Sequence, residues 1–184
     1  GVMTFTFSET IVKSSMTPKE LHFASGSNAS TTLQLAGGQV DDTEAYPFVY
    51  PEEQFTVAVV HLTTDDLNRI KADANLCTDN STCFVSFGSA LVNDTNDNPV
   101  VSVSASAGVQ ATSVAADTMR PSLASFVEFD LNNGTLKLRF DESINQSSIQ
   151  LTHFQLLDAF DSSLPVNFTG GNATVVNNTL VVIE

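Results

Sequence analysis

An internal repeat constrains the fold of this chain more than any other feature of its sequence. The stretch that begins at Gly1 aligns with the stretch that begins at Gly134, at an offset of 133 residues. Apolar residues alternate with polar ones in both copies, which is the pattern of a half-buried β-strand. The identical pairs are Gly1 and Gly134, Phe7 and Phe140, Glu9 and Glu142, Ile11 and Ile144, Ser14 and Ser147, and Ser15 and Ser148.

The repeat continues beyond this stretch. At the same offset, Leu33-Gln-Leu-Ala-Gly-Gly38 aligns with Val166-Asn-Phe-Thr-Gly-Gly171. The first copy then carries an insertion around residues 41–54, after which Val57-Ala-Val59 corresponds to Leu180-Val-Val182. We place the natural start of the repeat at Asp117-Thr-Met-Arg-Pro121. The sequence therefore predicts a domain 1–116 that lacks its first strand, and a domain 117–184 that holds the opening strands of a second copy.

Most of the predicted elements are strands. A threonine pair followed by two aspartates at residues 63–66 suits the start of one short helix, 63–74, with Leu67, Ile70 and Ala74 facing the core. The fold class that follows is all-β: an immunoglobulin-like β-sandwich with one short helix, followed by a partial second sandwich. Residues 102–118, rich in Ser, Thr and Ala, are expected to be a linker that carries O-glycans. The predicted strands are 2–7, 20–23, 32–35, 55–62, 83–87, 100–105, 123–131 and 135–140.

Acceptor motifs for N-glycosylation, Asn-x-Ser/Thr, are unusually dense. With 14 Asn and with 40 Ser and Thr among 184 residues, random placement gives about three such motifs. The chain has eight, which predicts N-linked glycans on a surface protein; the alternative is that these residue types are simply common in turns. The eight asparagines are Asn28, Asn80, Asn93, Asn133, Asn145, Asn167, Asn172 and Asn177.

Two cysteines lie close together in Cys77-Thr-Asp-Asn-Ser-Thr-Cys83. This spacing closes a small loop, and we predict a disulfide, which requires an oxidising compartment. Two free buried thiols are the alternative. Zinc binding is not expected, because no second pair of ligands lies at zinc spacing.

The formal net charge is −14. Phosphate backbones and anionic membrane surfaces are repelled by such a charge, so we expect no nucleic-acid partner. No apolar run approaches the ~20 residues that a membrane-spanning helix needs, so no membrane insertion is expected. Because Gly1 lies within a predicted strand, we expect the chain to be a processed product or a piece of a longer one.

The motif Thr6-Phe-Ser-Glu-Thr-Ile11 and its counterpart Gly134-Thr-Leu-Lys-Leu-Arg-Phe-Asp-Glu-Ser-Ile144 resemble the tandem bacterial-type immunoglobulin-like repeats of large surface proteins. The resemblance spans nearly the whole chain, although its motifs are short. It implies a β-sandwich module used for display, adhesion or fibre architecture. Together with the dense glycosylation motifs and the incomplete repeats, it is also similar to the glycan-coated protein fibrils of aquatic microbes.

A second resemblance concerns Asp94-Thr-Asn-Asp-Asn-Pro99, which is similar to the calcium-binding motif between cadherin repeats. It implies calcium ligands at Asp94, Asn96, Asp97 and Asn98, and oxygen ligands are what calcium prefers. The other acidic motifs of cadherins are absent from the sequence. The alternative is a plain turn.

No pattern in the sequence predicts catalysis. The histidines His22, His61 and His153 stand beside strand-like residues, with no triad or His-x-x-x-His spacing, and no nucleophile elbow or phosphate-binding glycine loop is present. We therefore expect no catalytic residues, no cofactor other than calcium, and no enzymatic activity.

Two functions are compatible with these observations. The opening strands of one copy would complete the sandwich of the next, and such a head-to-tail contact propagates as a filament, which predicts a homopolymeric structural subunit of an extracellular or cell-surface fibre or array. The alternative is an adhesion or ligand-binding immunoglobulin-like or cadherin-like module of a long surface protein, in which covalent neighbours supply the strands.

Overall fold

The computed structural model of the protein describes residues 1–28, 32–41, 56–157 and 165–184. Within these ranges the chain forms four antiparallel sheets and one α-helix, in agreement with the predicted all-β class. The chain divides into two compact units, Gly1–Asp117 (unit 1) and Thr118–Glu184 (unit 2). This boundary lies one residue after the expected one. None of the described helices is long and apolar enough to cross a membrane.

Unit 1 contains two sheets. The first has the strand order β1-β5-β4, and the second has the order β3-β2-β6-β7. All pairs are antiparallel, and the longest is β1 with β5, where Thr4 lies opposite Val59. The strands are β1 Val2–Thr6, β2 Leu21–Ala24, β3 Leu33–Gln34, β4 Gln39–Val40, β5 Val57–His61, β6 Phe84–Phe87 and β7 Val109–Gln110.

The helix of unit 1, α1, covers Thr64–Ala72 and begins where its sequence predicts. The hydroxyl of Thr63 accepts a hydrogen bond from the amide of Asp66 at 3.1 Å, which satisfies one of the free amides of the first turn. The predicted inner face was only partly right. Ile70 is buried and Leu67 half-buried, but Ala74 lies beyond the helix and is exposed.

The core of unit 1 draws on both sheets and on the helix. It includes Leu21, Leu35, Val60 and Leu91, which are almost inaccessible to solvent. Leu91 lies in the segment after β6. Residues that follow β5 in the chain therefore contribute substantially to the core of unit 1.

The segment that follows residue 99 differs from its prediction. Residues 100–105 do not form a strand: Val103 makes a single bridge with Phe87, and a 3-10 helix, Ala105–Ala107, turns the chain. Nor are residues 102–118 a free linker. β7 pairs with β6, and Ala111 and Val114 pack against the core of unit 1.

Unit 2 contains a four-stranded sheet of order β12-β13-β9-β8 and a two-stranded ribbon of β10 and β11. Its buried core is small and consists of Leu136, Leu138, Val181 and Ile183. The strands are β8 Leu123–Asp130, β9 Thr135–Phe140, β10 Gln155–Leu156, β11 Val166–Asn167, β12 Ala173–Val176 and β13 Leu180–Ile183.

The elements of unit 2 follow those of unit 1 in the order that the sequence repeat predicts. β9 pairs with β13 in the register in which β1 pairs with β5, so that Leu136 opposite Ile183 corresponds to Met3 opposite Val60. The 3-10 helices Lys13–Ser15 and Pro18–Glu20 have counterparts at Gln146–Ser148 and Leu151–His153. Most of the insertion that separates the copies lies outside the described residues.

The glycine pairs of the repeat are also equivalent in conformation. Gly38 has φ +150 and Gly171 has φ +131, a region that side chains rarely adopt. A Cβ atom on Gly38 would lie 3.2 Å from the carbonyl oxygen of His61, and one on Gly171 would lie 2.9 Å from that of Glu184. Both glycines therefore allow the same close approach of two backbone segments.

Candidate functional site

The outer edge of β1 is the first feature that distinguishes the two units. In unit 2, β9 pairs with β13 on one side and with β8 on the other. Its counterpart β1 pairs with β5 on one side, and no described strand pairs with its other side. Unit 1 thus lacks a counterpart of β8 among its described residues, as the sequence repeat predicts.

The backbone of β1 presents hydrogen-bonding groups along this edge. The carbonyl of Gly1 accepts from the amide of Leu62, and the amide of Phe7 donates to the carbonyl of Thr56. In an antiparallel ladder the residues between these two ends alternate, so Met3 and Phe5 bond to β5 while Thr4 turns its amide and carbonyl outward. The edge is therefore open to a further antiparallel strand.

The strand β8 is the second feature, because it carries apolar side chains that its own unit leaves exposed. Leu123 is 54% exposed, Phe126 55%, Val127 47% and Phe129 41%. The strand is held to β9 by its backbone and by an ion pair of 2.6 Å between Lys137 and Glu128. This ion pair raises the pKa of Lys137 above its ordinary value.

The exposure of β8 has a structural cause. In unit 1, α1, β6 and the segment after β7 contribute side chains to the core, and unit 2 has no counterpart of these elements among its described residues. An open hollow of about 360 Å³ lies over the sheet and is lined almost wholly by apolar side chains. Phe126, Phe154 and Phe168 are among them. Unit 2 therefore exposes an apolar face that unit 1 buries.

Seven of the eight predicted glycosylation asparagines have exposed side chains, and Asn93 is half-buried. They lie on turns, at strand ends and, for Asn167, on the short strand β11. Asn133 lies in the turn between β8 and β9, where Gly134 has φ +69 and the carboxylate of Asp130 accepts bonds from the turn. These bonds, the first of them from the amide of Asn132, lower the pKa of Asp130.

The predicted disulfide joins Cys77 to Cys83. Inside its loop, Asp79 caps the 3-10 helix Asn80–Thr82 by accepting from Ser81 and Thr82, and the Ser81 hydroxyl bond is the main reason why the pKa of Asp79 is lowered. The exposed Asn80 stands at the tip of this closed loop. A disulfide favours a compartment outside the reducing cytoplasm.

The cadherin-like segment forms a tight turn. The carboxylate of Asp94 accepts from the amides of Asn96 and Asn98 and from the side-chain amide of Asn98, each at 2.8 Å, and the Asn98 side chain contributes most to a lowered pKa of Asp94. Asp97 has φ +63, and Asn93 bridges to Pro99. Both oxygens of Asp94 therefore already have partners within the turn. Across the described ranges, no three His, Cys, Asp or Glu side chains cluster as a metal site. Calcium stays a prediction from resemblance.

One polar site was not predicted as such. Asp66, placed by its sequence only at the helix start, is fully buried and accepts from the amides of Ala36 and Gly37, from the Thr63 hydroxyl and from Arg69. Burial would raise its pKa, but these hydrogen bonds together lower it. The site ties α1 to the loop after β3. The sequence feature that could have indicated this site is the spacing of Asp66, in the first turn of the helix, three residues before Arg69, which allows the two side chains to form an ion pair.

The comparisons with known proteins gave no match: no protein-family model, no curated protein and no solved structure corresponds to this chain.

Proposed function

We propose that this protein is a non-enzymatic structural subunit of an N-glycosylated extracellular fibre or surface array, built from immunoglobulin-like sandwiches that assemble head-to-tail. In the assembly, strand β8 of one copy takes the place beside β1 of the next copy. The observation that carries the proposal is the mismatch between the two units: β1 has an open edge where its counterpart β9 binds β8.

The pairing of β8 with β9 supplies the register of the proposed contact. Phe126 lies opposite Leu138 and Glu128 opposite Lys137. At the repeat offset, the same register on the neighbouring copy places Phe126 opposite Phe5 and Glu128 opposite Thr4. Antiparallel addition of a strand to an open edge satisfies the outward backbone groups of β1 and extends its sheet.

Burial supplies the driving force. Moving β8 from β9 to β1 exchanges one set of backbone hydrogen bonds for another, which is close to neutral. The exposed side chains of Leu123, Phe126 and Phe129 gain a covered position, because unit 1 has core side chains from α1 and β6 that have no counterpart in the described part of unit 2. Burying the exposed half of each contributes about 1 kcal/mol per side chain. The gain is a few kcal/mol, before the costs of association, of breaking the ion pair between Glu128 and Lys137, and of leaving β9 without a partner on that side.

The contact is heterologous, because β8 and β1 are different surfaces. Such contacts repeat without closing unless the rotation forms a ring, so a filament results. The net charge of −14 and N-linked glycans on the exposed asparagines keep such a filament soluble and separate from its neighbours.

Electron microscopy of the purified protein at neutral pH tests the proposal, with Thr4→Pro as the disrupting variant. Proline removes an amide that faces the open edge and leaves the amides of Met3 and Phe5 bonded to β5. We expect filaments from the wild type and from the control Thr4→Val, and monomers with an unchanged circular-dichroism spectrum from Thr4→Pro. Monomers from the wild type would contradict polymerisation and leave a surface-array module as the better account.

The register is tested by cross-linking Thr4→Cys to Glu128→Cys in the same chain. Residues directly opposite on antiparallel strands have Cα atoms about 4.5–5.5 Å apart, within the range of about 4.4–6.8 Å that a disulfide spans. We expect a ladder of covalent oligomers on a non-reducing gel. Each single-cysteine variant serves as a control and should give dimers at most.

A further inference from the structure

Three of the eight glycosylation asparagines converge on one strand edge of unit 2. Asn172 immediately precedes β12 and Asn177 immediately follows it. The third, Asn145, lies near β12 because the next residue, Gln146, contacts this strand: its side-chain oxygen accepts a hydrogen bond from the amide of Val175 at 3.1 Å. The three asparagines thus mark both ends and the middle of β12, and their side chains are exposed.

The edge that they surround is an open one. β12 pairs with β13 on one side and, within the described part of unit 2, has no strand on its other side. The amide of Val175 points to that other side, since it bonds to Gln146 rather than to β13. Val176 is 41% exposed beside it. Gln146 satisfies this one amide, and the rest of the edge, with no described strand beside it, is a template for pairing with the edge of another molecule.

The positions of the other glycosylation motifs support a specific role for these three. At the repeat offset, the counterparts of Asn145 and Asn172 in unit 1 are Val12 and Gln39, which carry no motif. No acceptor motif lies within β1 or β8, the two strands of the proposed contact. Three of the motifs therefore lie at an edge that the proposed fibre does not use, and none lies within the two strands that it does use.

We propose that N-linked glycans on Asn145, Asn172 and Asn177 form a cap over the β12 edge, which blocks pairing of this edge with another copy. β12 spans about 13 Å at 3.3 Å per residue, so bulky glycans at its two ends and its middle cover its whole length. The inference rests on the proposed fibre function: the cap restricts assembly to the contact between β8 and β1, and so keeps each filament single.

Two sets of substitutions that each remove three glycans provide the test. The cap variant combines Ser147→Ala, Asn172→Gln and Thr179→Ala, which remove the acceptor motifs of Asn145, Asn172 and Asn177 in that order. The motif of Asn177 is removed at Thr179 because the φ of 50 at Asn177 suits asparagine better than glutamine. The matched control is Asn28→Gln, Asn80→Gln and Thr135→Ala. Neither set introduces a larger apolar side chain. Both proteins are expressed in a glycosylating eukaryotic host and compared at equal concentration.

We expect the cap variant to scatter at least tenfold more light than the wild type and to form bundled filaments, while the control stays within about twofold. Equal scattering from the two variants would overturn the cap and leave the fibre proposal intact. Glycopeptide mass spectrometry that finds the three sites unoccupied in the native protein would also overturn it. If the wild type forms no filaments, the fibre proposal fails. In that case, more aggregation of the cap variant than of the wild type and the control would still show that the glycans protect the β12 edge.

Discussion

Removal of the Asp66 carboxylate tests whether the buried polar site holds α1 in place in unit 1. The carboxylate lies 2.9 Å from the amide nitrogen of Ala36 and 3.1 Å from that of Gly37, and its side chain has no exposure to solvent. Arg69 donates to it at 2.8 Å. The substitution Asp66→Ala leaves both amides without this acceptor.

The magnitude follows from the groups left behind. A buried amide without an acceptor costs about 1–3 kcal/mol, and two are affected. The ion pair adds less than about 1 kcal/mol, because the Arg69 side chain is 42% exposed. We therefore expect Asp66→Ala to lower the free energy of unfolding of unit 1 by about 3–5 kcal/mol. The control Asp65→Ala, on the exposed side of the same helix turn, should cost about 0.3–1 kcal/mol through the helix dipole.

Hydrogen exchange measured by mass spectrometry is the suitable assay, because it resolves the two units that a single unfolding curve would mix. Peptides covering Ala36 and α1 should lose protection in Asp66→Ala, while peptides from β9 and β13 serve as internal references. Protection equal to that of Asp65→Ala would refute the assigned role of the carboxylate.

The same site gives a pH dependence whose sign is fixed by its lowered pKa. The stabilisation from Asp66 is fully present above the ordinary carboxyl pKa of 3.8 and is lost as the pH falls through the lower value of the folded state. The stability difference between wild type and Asp66→Ala should therefore be constant from pH 7 to pH 5 and should shrink below about pH 3.8. A difference that fell between pH 7 and pH 5 would contradict this assignment.

Three further predictions concern other parts of the chain. Replacing Cys77 and Cys83 together by serine should cost unit 1 about 2 kcal/mol, since the disulfide closes a short loop, and hydrogen exchange of unit 1 peptides without reductant measures this. The substitution Gly171→Ala should destabilise unit 2 by about 1–3 kcal/mol and lower its melting temperature, because the new Cβ would lie 2.9 Å from the Glu184 carbonyl oxygen. In the control Gly170→Ala the new Cβ meets no atom within 4 Å, so the melting temperature should change little. Millimolar calcium should shift the melting temperature by less than about 1 °C, because both Asp94 oxygens already accept bonds within their turn; a rise of several degrees, reversed by chelator, would establish the cadherin-like calcium site.

The repeat carried most of what the sequence predicted about the fold. It placed β9 within residues 135–140 and matched Val57 and Val59 to Leu180 and Val182, which occupy equivalent positions opposite β1 and β9. It also predicted that the described residues of unit 1 hold no counterpart of β8. Alternation of apolar and polar residues can occur by chance in one segment, but it rarely recurs by chance at the same positions of a second copy. Strand assignments that rest on both copies are therefore stronger than those that rest on one.

Assignments without a second copy were less accurate. Residues 100–105 alternate valine with serine and alanine, yet only Val103 forms a bridge, because small side chains bury too little apolar surface to hold a strand. The buried Asp66 was equally hard to predict, since an aspartate in the first turn of a helix is ordinarily exposed and only tertiary structure brings Ala36 and Gly37 to it.

The two units show why the edges, rather than any cluster of side chains, are the informative surface of this protein. Leu138 of β9 and Phe5 of β1 occupy the same repeat position, and each strand bonds to an equivalent partner on one side. Within the described residues the units differ on the other side of these strands: unit 2 has β8 but no covering elements over it, and unit 1 has such elements but no counterpart of β8. A strand with exposed phenylalanines and an open edge of matching register therefore occur in one chain. Our proposal pairs them between copies, and under it a variant that closes either one should stop assembly without unfolding the other unit.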